Sequence, residues 1–187
     1  MNQQFAKATD TIPAWVNGSL QPVEKLNVHL KGLKHKAVSV FLLSGNDVLI
    51  QQRALSKYHT PGLWANTCCT HPHWDESSFD CAVRRLNEEL GITGVFPKHR
   101  DTIEYRADVG NAMTEHEVVD LFLAHSDRDL YVQANPDEVA DFEWINFYDL
   151  CADVARNPRK YTPWLRIYLG KHQNQIFSDQ LGVARRP

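Results

Sequence analysis

Nowhere in the 187 residues does an apolar run approach the ~20 needed to cross a bilayer. The first residues, MNQQFAKATDTIPAW, lack the basic-then-apolar order of a secretion signal, so a cytoplasmic protein is expected. Cysteine is scarce. Cys68 and Cys69 are neighbours, Cys81 and Cys151 stand apart, and no CxxC pair occurs, which excludes a disulfide scaffold and a zinc ribbon. In a reducing compartment all four are expected as free thiols. No excess of one charge exists either: 20 basic against 23 acidic residues leave a net charge of −3, which argues against nucleic acid as the main partner. Repeats and low-complexity tracts are absent. What remains is an ordinary globular composition, 43% hydrophobic and 23% charged, of a length that suits one domain with a sizeable core.

The pattern predicts strands at Lys36–Ser44 (KAVSVFLLS) and Asp47–Arg53 (DVLIQQR), joined by a tight SGND turn. Further strands are predicted at 102–109, 116–126 and 139–147, and helices at 149–156 and 162–172, the second with Pro163 in its first turn. Between them, 77–90 reads as a helix whose buried stripe is Phe79, Ala82, Val83, Leu86 and Leu90, opened by Ser77 and stopped by Gly91. On that helix Glu88 points away from the stripe, Glu89 lies on its flank, and Arg85 neighbours Glu89 at i, i+4. Strands in runs, with helices between and after them, suit an α+β domain with a mixed sheet. Residues 1–20 are read as an N-terminal segment that could close over a site, 21–177 as the domain, and 178–187 as a tail that frays.

The stretch NTCCTHPHWDE, Asn66 to Glu76, concentrates two thiols, two imidazoles and two carboxylates in one loop. A metal site, a nucleophile and a polar loop are all open readings of it. If the stretch is extended, Cys68 and Cys69 point to opposite sides. Downstream, Glu115 and Glu117 lie two apart at the start of a β-like run, so both face one side and His116 the other.

From Thr70 to Ile92, THPHWDESSFDCAVRRLNEELGI resembles the Nudix box: Gly, five residues, Glu, seven residues, Arg-Glu-apolar-any-Glu-Glu-any-Gly-apolar. Glu76, Arg84, Leu86, Glu88, Glu89, Gly91 and Ile92 match. Thr70 stands where the pattern has Gly, and Arg85 where it has Glu. Replacing a box carboxylate by a cation suits holding a diphosphate more than cleaving it. Together with RALSKYHTPGLWANTCCTHP, the early histidines, YRA, TEHEVVDLF and the late TPW, the chain resembles the type I isopentenyl-diphosphate isomerases over about residues 20 to 170.

That resemblance implies a single-domain Nudix-like mixed sheet sandwiched by helices. It implies interconversion of isopentenyl and dimethylallyl diphosphate through a tertiary carbocation, with Cys69 and Glu117 as the proton-transfer pair. Tyr105 would assist Glu117, and Trp164 would lie over the cation. His29, His35, His71, Glu115 and Glu117 would ligate a divalent metal, Mn²⁺ or Zn²⁺. Lys25, Arg53, Lys57 and Arg85 would contact the diphosphate, with Mg²⁺ held by Glu89 and the Cys69 carbonyl. A Cys69 thiol tuned to exchange a proton near neutral pH is expected. His59, His73, His99, His116, His125 and His172 are read as inert, Cys68 and Trp64 as packing residues. The expected partner is a small isoprenoid diphosphate, with neither membrane nor nucleic acid, and the chain a monomer or weak homodimer. A Nudix hydrolase and a catalytically dead metal-binding domain are the rival readings, to be separated by phosphate release and by the effect of replacing Cys69.

Overall fold

A computed structural model describes residues 11–178. Strand β3, Lys34–Ser44, is buried throughout from Ala37 to Leu43, and the fold is built outward from it. In chain order, β1 (Thr11–Val16) and β2 (Ser19–Glu24) make a hairpin that leads into helix α1 (Lys25–Lys31) and then β3. β4 (Asp47–Arg53), β5 (Trp64–Asn66) and β6 (Cys68–Thr70) precede helix α2 (Ser78–Leu90). β7 (Lys98–Gly110) and β8 (Met113–His125) form a long hairpin. β9 (Val139–Asn146), α3 (Phe147–Arg156), α4 (Pro163–Lys171) and α5 (Gln173–Phe177) follow. The nine strands belong to one mixed sheet, flanked by helices in a single α+β domain.

β3 pairs in parallel with β8 along Lys34–Leu43 on one edge. Its other edge is shared in succession by β1 at His35, β6 at Val38–Val40 and β4 at Leu42–Ser44. Both faces of β3 are covered, so its apolar residues run on without polar alternation. Ala37, Phe41 and Leu43 pack with the α3, α4 and α5 side chains; Val38, Val40 and Leu42 pack with Leu86 and Leu90 of α2.

The handover from β4 to β6 along β3 leaves ladder gaps, and two fully buried polar side chains close them. Thr67 accepts from the Leu42 amide at 2.8 Å and donates to the Leu49 carbonyl at 2.6 Å. The Asn66 amide nitrogen lies 2.9 Å from Ser39 Oγ and from the Val40 and Cys68 carbonyls. Buried backbone groups need such partners, which is why NT stands ahead of the cysteines.

α2 begins and ends where expected: Ser77 caps it by accepting from the Asp80 amide, and Gly91 ends it at φ 65°. A Cβ on Gly91 would come within 3.0 Å of the Gln133 backbone, so both conformation and space demand glycine. Its buried face corrects the predicted stripe. Cys81, Ala82, Leu86, Glu89 and Leu90 are buried, whereas Val83 is exposed. Thr11–Val16 pairs with Ser19–Glu24 in the sheet, while residues 1–10, and the tail from 179, lie outside the described residues. Among the described residues no helix is long and apolar enough to cross a membrane, which leaves β-barrels unaddressed.

Replacing Leu86 by Ala should cost about 2–5 kcal/mol of unfolding free energy, the range for emptying a packed leucine site. Val83→Ala should stay within about 0.5 kcal/mol of wild type, as surface changes do. Denaturant melts of both variants read the two faces of α2 directly.

Candidate active site

Three neighbouring strands set the site. In the β3–β8 ladder His35 lies opposite Glu117, and in the β3–β6 ladder Val38 lies opposite Thr70. His71 therefore leaves the end of β6 beside His35. Period two along β8 turns Glu115 and Glu117 inward, both 2% exposed, and leaves His116 outside on Glu104. α1, capped by the Glu24 carboxylate on the Leu26 and Asn27 amides, adds a fully buried His29.

The histidines are oriented by backbone. His29 Nδ1 donates to the Lys25 carbonyl at 2.6 Å and His35 Nδ1 to the Leu33 carbonyl at 2.8 Å. A neutral imidazole held this way presents a bare Nε2 lone pair. Those atoms face further acceptors: His29 Nε2 is 3.1 Å and His35 Nε2 3.2 Å from Glu115 Oε2. His35 Nε2 is also 3.2 Å from His71 Nε2, which is 3.1 Å from Glu117 Oε1. One ligand atom each from His29, His35, His71 and Glu115 lies within 4.8 Å of every other. His29 Nε2 is buried without an aligned hydrogen-bond partner. Facing lone pairs beside two carboxylates require protons on the rings or a cation among them, and this donor set fits a divalent metal. Glu117 stands at the edge of the group, accepting from the Tyr105 hydroxyl as well.

The two carboxylates are pushed apart in acidity. For Glu115, burial would raise the pKa, but the His29 and His35 rings against it, with His71 nearby, hold it well below the usual range. Burial raises Glu117, and the adjacent Glu115 charge adds to the effect. One group thus stays ionised while its neighbour retains a proton more readily, the pattern of an acid/base pair. His35 is pulled down by burial, yet the Glu115 and Glu117 carboxylates beside it prevail and raise it to about 10.

Cys68 and Cys69 do point to opposite sides of β6. Cys68 packs with Cys81 and Leu86 beneath α2; Cys69 packs on the α4 side, its Sγ 4.0 Å from the Tyr168 hydroxyl. The expectation of a thiol tuned toward neutrality is corrected here. Burial, reinforced by Glu117 and Glu115, pushes Cys69 well above its ordinary pKa, so the protonated thiol is the resting form.

Cys69, His71, Glu115, Glu117 and Trp164 line one pocket together with Lys25, Arg53, Lys57, Arg85 and Glu89. His29, His35 and Tyr105 are not among its lining residues. The cations are crowded: burial, then repulsion from Lys57 and Arg85, lowers Lys25 to about 8. Arg85, at the departure from the box pattern, bonds Glu89 at 2.6 Å and reaches Glu138 at 3.3 Å. Glu138 also pairs with Lys57, and Gln51 donates to Glu89 at 2.8 Å. Box residues Glu76 and Arg84 form a two-pronged bridge at 2.6 and 2.7 Å that braces the loop against α2. The Arg53 guanidinium sits 5.2 Å from the Trp164 ring centre.

Gln51, Tyr58, His59 and Glu138 line the pocket and were missed in the sequence. The inert reading of His59 is the one to correct: it is buried, its Nε2 lies 3.2 Å from Glu115 Oε1, and burial lowers it to about 3. His73, His99, His116, His125 and His172 do not line the pocket.

The Nudix domain family matches residues 33–165. Solved structures share the fold. A protein of Deinococcus radiodurans superposes with TM-score 0.69 at 13% identity, over 86% of this chain and 98% of its own. A MutT protein of Methanosarcina mazei gives 0.59 at 15% identity, over 74% and 91%. The fold and box thus define a Nudix protein. An isopentenyl-diphosphate Delta-isomerase of Dinoroseobacter shibae is 65% identical over 90% of this chain and 96% of that protein. One of Ruegeria pomeroyi is 61% identical over 94% and 97%. The chain belongs to the isopentenyl-diphosphate Delta-isomerase family, within the Nudix superfamily.

Two measurements follow from this geometry. Chelator-treated protein should gain thermal stability when a divalent transition metal is restored, by about 2.7 kcal/mol at a hundredfold excess over Kd. His35→Ala should abolish that gain. For Lys25, lowered to about 8, the sign is that charge is lost as pH rises through that value. Calorimetric binding of an alkyl diphosphate should then weaken roughly fivefold to tenfold between about pH 7.5 and 9, and Lys25→Arg, charged throughout, should flatten the profile.

Proposed function

We propose that the chain interconverts isopentenyl and dimethylallyl diphosphate by moving a proton across the allylic system, with Cys69 and Glu117 as the two proton-transfer groups. The observation that carries this reading is a buried, protonated thiol and a carboxyl of raised pKa facing one pocket that cations also line. An unactivated alkene is a very weak base. Its protonation needs an acid placed against carbon, water kept away from the tertiary cation that forms, and the partner group in its ionised form to take a proton from the opposite allylic carbon.

Several features support those requirements. Burial that keeps Cys69 protonated gives it a proton to deliver and suppresses a thiolate that would alkylate on the cation. Glu117, held by Tyr105, keeps its other oxygen turned toward His71. Trp164, 2% exposed, supplies an aromatic wall, and its face stabilises positive charge where water is excluded. Lys25, Arg53, Lys57 and Arg85 hold the diphosphate, anchoring an allylic leaving group without protonating its bridging oxygen. Arg85 in place of a box glutamate removes a carboxylate that hydrolysis would use to gather metal ions.

His29, His35, His71, Glu115 and Glu117 would hold Mn²⁺ or Zn²⁺, and Glu89 with the Cys69 carbonyl would hold Mg²⁺ against the diphosphate. These ions, when bound, supply positive charge that fixes the carboxylates and neutralises the phosphates. We assign the protein to the cytoplasm, as a monomer or weak homodimer acting in isoprenoid synthesis.

Incubation with isopentenyl diphosphate and Mg²⁺ in heavy water, followed by NMR, tests the reading. Wild type should yield deuterated dimethylallyl diphosphate, and Cys69→Ala and Glu117→Gln should each lose about 10²-fold or more in turnover, the scale of a positioned acid or base. Phosphate release without isomer would establish hydrolysis instead, and undiminished turnover in Cys69→Ala would refute the thiol's role.

A further inference from the structure

His59 is a buried imidazole outside the four-residue group of facing ligand atoms, yet it touches that group through one atom. The Glu115 carboxylate is divided between two neighbourhoods. Its Oε2 lies 3.1 Å from His29 Nε2, 3.2 Å from His35 Nε2 and 4.0 Å from His71 Nε2. Its Oε1 lies 3.2 Å from His59 Nε2. A carboxylate oxygen only accepts, so a bond across this contact needs hydrogen on His59 Nε2. On the other side of the ring, Nδ1 is 3.1 Å from the Thr60 hydroxyl, which can donate. Both contacts therefore suit the same neutral tautomer.

The segment that carries the ring is held firmly. Arg53 donates from Nη2 to the His59 carbonyl and from Nε to the Thr60 carbonyl, each at 3.2 Å. Thr60 is fixed at φ 47°, a conformation a β-branched residue seldom adopts without such support. The His59 ring also meets Trp164 edge-on, with centroids 6.0 Å apart at 87°.

We propose that His59 is a positioning residue that grips Glu115 by Oε1, so that Oε2 alone is presented to the three histidines, and that seats the Trp164 ring beside them. A carboxylate free to rotate would offer either oxygen, or both, to a metal ion. Bonding one oxygen to a donor on a braced loop removes that choice and makes Glu115 a one-oxygen ligand. Hydrogen-bond partners of ligands in this position typically change metal affinity by about 10–100-fold when removed.

This inference rests on the metal-centre reading, and the test separates the two. Full-length protein is stripped with a chelator and titrated with Co²⁺, as a spectroscopic probe, and with Mn²⁺ against a chromogenic competitor. Wild type, His59→Phe and His59→Gln are compared, with melts of the metal-free proteins to check folding. Phe keeps a ring against Trp164 without a donor; Gln restores an N–H at similar reach. The expected result is a 10–100-fold weaker Mn²⁺ affinity and an altered Co²⁺ ligand-field spectrum in His59→Phe, with His59→Gln returning most of both. His59→Leu serves the same comparison should the Phe variant melt abnormally. Wild-type affinity and spectrum in the donor-less variant would overturn the role of His59. Equal loss in the Gln variant would instead make His59 a ligand in its own right. Wild type that binds neither ion would overturn the metal centre and this inference together.

Discussion

The parallel ladder between β3 and β8 is the constraint from which the site follows. It sets His35 opposite Glu117, and because side chains alternate along a strand, that single register decides which groups face inward. A slip of one residue would turn His116 toward the pocket and both glutamates away from it. The apolar residues of β8 resist such a slip, since it would also move Val119, Leu121 and Leu123 out of one core and Phe122 and Ala124 out of the other. Packing energy on two faces thus fixes the position of polar groups that would themselves prefer water.

Those polar groups are costly to bury. Glu115, Glu117, His29 and His35 are almost wholly removed from solvent, and each relies on the others or on a backbone carbonyl for satisfaction. The cations lining the pocket show the converse strain. Lys25, Lys57 and Arg85 repel one another, with Glu138 and Glu89 lying among them as internal counter-ions. On the proposed function, an arriving diphosphate would exchange these internal pairings for a denser anion, and binding would draw on repulsion already present in the free protein.

Much of this was legible in the sequence where one physical rule dominates. The β3–β4 hairpin announced itself by apolar strands around a short turn, and α2 by its capping serine and terminal glycine. The inward pair Glu115 and Glu117 followed from period two alone. The burial of α2 was misjudged at Val83 because five apolar residues were fitted to one stripe, while Cys81, small and weakly polar, took the interior place. The β1–β2 hairpin escaped notice although Asn17-Gly18 is a strong turn signal, both residues having positive φ. Pro13 and Pro22 disguised it; they sit directly opposite each other in this hairpin at the sheet edge, where missing amides do least harm. His59 and Glu138 belong to loops without periodicity, and their partners are distant in the chain, so no local pattern points to them.

The opposed cysteines have a consequence of their own. Cys68 and Cys69 are adjacent in the chain but separated by the thickness of a sheet, one sealed beneath a helix and the other at the floor of a pocket. Their sulfurs cannot approach each other without breaking β6 from β3, so oxidation cannot cross-link them within the folded chain. An electrophile that enters the pocket meets the sulfur of Cys69 and is screened from that of Cys68. The fold thereby converts a repeated letter in the sequence into two unlike atoms, one packed as filler and one belonging to a residue that lines the pocket.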